Sequence, residues 1–271
     1  MFDHHTHIGL YYKTYYDFHD VFLALKNNGV AQTTTAYLTP RFNDEKNALD
    51  FFYAVQEELK EAKAFAEKIG LKVNFLYWAD PLVLKNIKLE KIWGIKEMVV
   101  SRASTTAGSG TTTAKYFGIA LHPIIHAWTK DFPEILTDIF RFAQNQNIPI
   151  FLHTGVSEND EPLQFEKWFS AFPEVKVRLA HCKDSKAIIK LFTKYENLTG
   201  DTAFCPKDSL DAICRAGFEN RMFFGTDFPI THWFEHRDEE NILADEKILT
   251  ESYAKTVKKG KSSQKIISFF D

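Results

Sequence analysis

The residues Asp3-His4-His5-Thr6-His7 hold the densest group of chemically useful side chains in the sequence. In a strand, residues two apart share a face. His5 and His7 therefore project together, with His4 and Thr6 on the opposite side. Two neutral imidazoles on one face make half a site for Zn²⁺, Fe²⁺ or Mn²⁺. Three later segments end an apolar run on a His or an Asp: Phe151-Leu152-His153-Thr154-Gly155, Leu179-Ala180-His181-Cys182, and Phe223-Phe224-Gly225-Thr226-Asp227-Phe228-Pro229. Each also has a plain structural reading. A His at a strand end caps a carbonyl, and T-D-x-P starts a helix.

Something must bring these four segments together. Eight candidate strands run along the chain: Phe2–Ile8, Ala31–Leu38, Lys72–Trp78, Phe117–Leu121, Pro149–His153, Val175–His181, Asn197–Ala203 and Arg221–Thr226. Helical patterns separate most of them. Ala48–Ile69 carries Leu49, Phe52, Val55, Leu59, Ala62, Phe65 and Ile69 at spacings of three and four, with Gly70 as the stop. Phe132–Gln146 follows Asp131, a candidate N-cap, with Pro133 in its first turn. Ser185–Tyr195 and Ser209–Ala216 are shorter versions. Strand–helix alternation implies parallel strands. Eight units fit a closed (β/α)₈ TIM barrel, and no G-x-G-x-x-G follows the first strand to suggest an open dinucleotide-binding sheet. The expectation is an α/β barrel spanning residues 1–271 as one domain. A flexible Ser/Thr/Gly/Ala-rich loop at 101–114 precedes strand four, and a helical segment follows residue 229. The polar residues then fall at the C-terminal ends of strands one, five, six and eight, the face on which barrel enzymes work.

D-x-H-x-H, H-T-G, a strand-end His and G-T-D-x-P in this order resemble the amidohydrolase superfamily. The branch is the one with aminocarboxymuconate-semialdehyde decarboxylase-like and lactonase-like members. The resemblance runs from residue 3 to residue 229. It implies that His5, His7, His153 and Asp227 are metal ligands, and that His181 is a catalytic residue beside the metal or a ligand of a second ion. Gly118-Ile119-Ala120-Leu121-His122-Pro123 resembles the family's G-x-K-x-H-P, with Ala120 where Lys is common. Alanine cannot be carboxylated to bridge two metals, so one divalent ion is expected, zinc first and iron or manganese next. The activity implied is a metal-dependent hydrolase, using an activated water on a small-molecule ester, lactone or amide. Asp227 takes the water's proton, and His181 polarises the carbonyl or protonates the leaving group. The alternative is decarboxylation of an unsaturated carboxylate, for which an Arg should meet the substrate. Arg41 and Arg102 are candidates, and both also read as ordinary surface residues. His122, Trp78 and Tyr12 are candidate substrate contacts, with Tyr11, Tyr15 and Tyr16 beside Tyr12 as an aromatic wall or as packing.

The totals narrow the field. Of 271 residues, 45% are hydrophobic and 25% charged, an ordinary globular mixture. A formal net charge of −3 offers no basic surface for nucleic acid. No apolar run approaches a membrane span. Three cysteines outside any CxxC pair suit a reducing cytoplasm rather than a disulfide framework. A small-molecule substrate is the expected partner, and a homodimer is compatible. A barrel that binds a ligand without catalysis ranks last.

Overall fold

The computed structural model describes residues 1–94, 116–155 and 157–263. The stretch at 101–114, with Arg102, lies outside the described residues. Nine strands form one sheet in the order β2-β1-β3-β4-β5-β6-β7-β8-β9. They are β1 (Phe2–Tyr11), β2 (Thr14–Tyr16), β3 (Gln32–Leu38), β4 (Lys72–Trp78), β5 (Gly118–Leu121), β6 (Ile150–Leu152), β7 (Val177–Leu179), β8 (Leu198–Asp201) and β9 (Met222–Phe223). All neighbours pair in parallel except β1 and β2, an antiparallel hairpin with Gly9 opposite Tyr16. Eight strands lie where the sequence predicts them, and β2 is an addition. Its Thr-Tyr-Tyr composition suits a strand, but three residues are too few for alternation to declare itself.

The sheet closes on itself. His4 N donates to Phe224 O at 2.9 Å, Asp227 N to His5 O at 2.8 Å, and His7 N to Phe228 O at 2.7 Å. These bonds join β1 to the chain just after β9, and Thr6 bridges Phe228 in parallel. An edge that would otherwise carry bare amides and carbonyls is thereby satisfied.

Eleven α-helices occur among the described residues: α1 (Phe18–Asn27), α2 (Glu45–Lys68), α3 (Pro81–Leu84), α4 (Leu89–Ile92), α5 (Trp128–Asp131), α6 (Pro133–Gln146), α7 (Glu166–Ala171), α8 (Ser185–Lys194), α9 (Lys207–Arg215), α10 (Ile230–His236) and α11 (Glu246–Ser263). Acidic N-caps start several of them, among them α1, α2 and α8. Asp17 accepts from His19 N at 2.8 Å, Asp44 from Asn47 N at 2.9 Å, and Asp184 from Lys186 N at 2.9 Å. Gly70, just beyond α2, takes a left-handed φ of 68° and ends that helix as expected. Asp131 does not cap α6. It ends α5, and Phe132 stands at the cap position without a side-chain bond.

The helices bury one face on the outside of the barrel. Phe22 and Leu25 of α1, Leu59 of α2, Phe140 of α6 and Phe192 of α8 share one core with Ile119, Ile150, Val177 and Leu198 of the strands. Each such side chain contributes about 1.5–3 kcal/mol on burial. The C-terminal helix α11 packs on α1. Its Tyr253 hydroxyl reaches through to donate to Asp3 Oδ2 at 2.9 Å. None of the described helices is long and apolar enough to cross a membrane.

Inside the barrel a second, smaller cluster joins Ala36, Leu38, Leu76, Trp78, Ala120 and Ile230. Two of its members are alanines, which leaves room in the interior.

Candidate metal centre and active-site cavity

A cavity of about 880 Å³ opens among the C-terminal ends of the strands. His5, His7, His122, His153, His181, Asp201 and Asp227 all line it. The strict alternation expected for β1 fails at one point. The β1–β3 register shifts between Asp3 and Thr6. His4 therefore also lines the cavity, stacked on Phe2 with ring centroids 3.5 Å apart, instead of facing away. A bulge of this kind re-aims side chains next to sites.

Three donor atoms converge tightly. His5 Nε2 lies 3.2 Å from His7 Nε2 and 3.2 Å from Asp227 Oδ1, and His7 Nε2 lies 2.8 Å from the same oxygen. Two ligands about 2.1 Å from one ion, at tetrahedral to right angles, stand roughly 3.0–3.4 Å apart. The spacing and the imidazole–carboxylate chemistry both fit a divalent cation.

Each imidazole is held by its other nitrogen. His5 Nδ1 donates to Asp201 Oδ2 at 2.9 Å, and His7 Nδ1 donates to Ala36 O at 3.3 Å. His153 Nδ1 donates to Asp160 Oδ2 at 3.0 Å, and His181 Nδ1 to Ala203 O at 2.9 Å. A carbonyl or carboxylate can only accept, so each of these Nδ1 atoms carries a proton. His153 and His181 are left with an Nε2 lone pair, whereas the Nε2 atoms of His5 and His7 face Asp227 Oδ1, where a shared proton or a cation is needed between them. Such Nδ1 bonds are the support that metal-bound histidines ordinarily have.

His153 lines the same cavity but stays outside the tight group. Its ring centre is 4.5 Å from that of His181 and 4.1 Å from that of His122. Asp201 gathers with His5 and His181 in a second cluster. Its oxygens are already engaged, since Oδ1 accepts from His181 N and Ala203 N while Oδ2 accepts from His5. Asp201 thus positions the imidazoles rather than offering itself.

The electrostatics follow from burial against charge. Burial alone disfavours a proton on His5, but Asp201 and Asp227 outweigh it and lift the imidazole to about 9. A divalent cation would compete with that proton for the same nitrogen. Burial would raise Asp227, yet His5 and His7 hold its carboxyl well below the usual range. His181 is pushed down to about 3, first by burial and then by His153. His122 is driven well below its ordinary value by burial and by His153 and His181. Two of these residues also hold left-handed backbone, His181 at φ 69° and Asp227 at φ 59°. Non-glycine residues keep such angles where the surroundings over-determine them, as at active sites.

Trp78, His122, Arg41 and Tyr12 line the cavity as well. Trp78 stacks on His122, with centroids 5.1 Å apart and planes at 20°. Tyr12 stacks on Trp233 at 4.8 Å. The aromatic wall is shorter than the tyrosine run suggests. The β1–β2 hairpin turns Tyr15 toward Glu58 and Tyr16 toward His232, leaving Tyr11 and Tyr12 at the cavity. Asp201, Asp160 and Arg178 join the site through contacts that no local motif announces. Arg178 alternates with Val177 and Leu179, which are buried in the outer core. That alternation was the available sign that it points into the barrel.

The amidohydrolase family model matches residues 112–259, more than half of the chain. Two solved structures share the fold across nearly their whole length. One is a TatD-like protein from Archaeoglobus fulgidus, with 13% identity, TM-score 0.55, and 97% of this chain and 95% of that one covered. The other is a probable 2-pyrone-4,6-dicarboxylic acid hydrolase from Acinetobacter baumannii with citric acid bound, with 12% identity, TM-score 0.54, and 97% and 94% covered. No curated protein matches the sequence. The TIM-barrel architecture, the clustered histidines and the family match converge on one conclusion: the chain is an enzyme of the amidohydrolase family.

Proposed function

We propose that the enzyme is a mononuclear metal-dependent hydrolase acting on the ester, lactone or amide carbonyl of a small molecule. The observation that carries this reading is the convergence of His5 Nε2, His7 Nε2 and Asp227 Oδ1 with both histidine Nδ1 atoms tied off. In this reading these three residues hold the ion and His153 Nε2 supplies a fourth donor. Zinc suits a mixed imidazole–carboxylate set, with iron or manganese as substitutes. One barrel spans the chain, and free Cys182, Cys205 and Cys214 suit a cytoplasmic setting.

When bound, the ion supplies an acidified water and polarises the substrate carbonyl. The chain's own residues handle the protons. Asp227 stays ionised and accepts a proton from the attacking water at its carboxylate. His181 is neutral at rest, with its Nε2 lone pair free. It first orients the water by accepting its O–H. Delivery to the leaving group requires a proton that His181 or Asp227 has just gained. Trp78 and His122 form a flat wall against which the substrate body lies.

Decarboxylation of an unsaturated carboxylate is the second reading. One observation favours it, an arginine at the cavity with no carboxylate partner among the described residues, Arg178.

The test is a turnover screen of metal-loaded protein on lactones, esters, amides and unsaturated carboxylates, run beside Asp227→Asn. The expected outcome is a hydrolysed substrate and a loss of about 10²-fold or more in kcat for the variant, with its melting temperature little changed. A fully active Asp227→Asn would remove Asp227 from the proton path.

A further inference from the structure

Arg178 stands on β7 opposite Phe151 of β6 and Thr199 of β8. Phe151 is two residues before His153, so the backbone position of Arg178 lies about 6–7 Å down the barrel from that level. It borders the same cavity as the histidine cluster. Its carbon lies 4.2 Å from the Phe223 ring centre and 4.9 Å from that of Phe151. Nε and Nη1 are buried and make no hydrogen bond among the described residues. The nearest acid to bear on it is Asp201, whose oxygens serve His5, His181 and Ala203.

A partly buried cation flanked by two phenyl faces and lacking an acceptor is costly to keep. A methionine or leucine would fill the same space more cheaply. The forked guanidinium is matched to a planar carboxylate. The small side chains of Ala36 and Ala120 line the same cavity. Trp78, Phe151, Leu38 and Ile230 give the lining its apolar surface, and Thr34, Thr39, Arg41 and Lys183 its further polar groups.

We propose that Arg178 receives a carboxylate of the substrate, so that the cavity takes small organic acids with a flat apolar body. The assignment of the reacting end to the histidine cluster rests on the hydrolase reading above. The carboxylate contact at Arg178 does not.

The test is calorimetric titration of the protein as purified with benzoate and with benzamide. The same titrations are run on Arg178→Met and Arg178→Lys, with the metal content of every sample measured. Benzoate should bind the parent better than benzamide. Its affinity should fall about tenfold or more in Arg178→Met at unchanged metal content, and benzamide should not respond. Arg178→Met should melt no lower than the parent, because it removes a buried unpaired charge, which a purely structural arginine would not allow. If that variant does not fold, Arg178→Lys decides, since it keeps the charge but loses the fork and should still weaken benzoate. Equal benzoate affinity in the parent and the folded variants would overturn the proposal. So would affinity that follows metal content rather than residue 178, or an absence of benzoate binding to the parent at millimolar concentration. Benzoate binding that depends on Arg178 in protein unable to hold metal would sink the hydrolase reading and leave this one standing.

Discussion

His5 and His7 could be paired from the sequence because a two-residue spacing has one meaning in a strand. What makes them useful is less visible there. Each needs an acceptor for its Nδ1 proton, and those acceptors come from far along the chain: Asp201 is 196 positions from His5, and Ala36 is 29 from His7. No spacing rule predicts such partners. Asp160, which steadies His153, comes from a short turn whose geometry depends on Ser157 as much as on Asp160. Asp201→Asn is therefore expected to weaken metal binding about 10–100-fold, because the amide can turn its NH₂ toward His5 and favour the wrong tautomer. Chelator competition measures this directly. An affinity equal to the parent's would mean that Asp201 has no part in holding His5.

The same limit applies at the scale of elements. Strand positions were readable because apolar, β-branched runs alternate with helical patterns along most of the chain. The hairpin strand β2 and the register shift in β1 were not, since both arise from pairing. The shift puts His4 and His5 on the interior side together. Gly225 is the matching concession on the other side of the seam. A Cβ there would lie 2.7 Å from His5 Cβ and 3.5 Å from Asp201 Cβ. Gly225→Ala should thus push β1 away from its partner, at about 1–3 kcal/mol of stability, with metal affinity falling alongside. Paired melting and metal-binding curves check it. A variant with parent-like values in both would show that the seam has slack.

For the molecule as a whole, barrel closure and the metal centre share one seam. Asp3 lies buried beneath it and accepts from His5 N, Thr226 N, Thr226 Oγ1 and Tyr253 of α11. A helix near the end of the described chain thereby ties down the strand that carries two of the proposed ligands. The sequence predicts that this segment is helical, and its packing on α1 is seen only in the fold. Its grip on Asp3 depends on where the barrel's first strand lies in space. Tyr253→Phe removes one hydrogen bond to that buried carboxyl and is expected to cost about 1.5–3 kcal/mol in urea unfolding, with metal content unchanged. A variant as stable as the parent would make the tie ornamental. Metal should also stabilise the fold by mass action, by about 2.7 kcal/mol at one hundred times its Kd.

The most direct measurement is the metal content of protein purified without added metal or chelator, beside a His5→Ala/His7→Ala double variant. The account predicts about one equivalent of zinc, iron or manganese in the parent and its loss in the variant. Two equivalents would contradict a single ion and bring His181 in as a ligand. No metal in either, even after reconstitution, would contradict the metal centre itself.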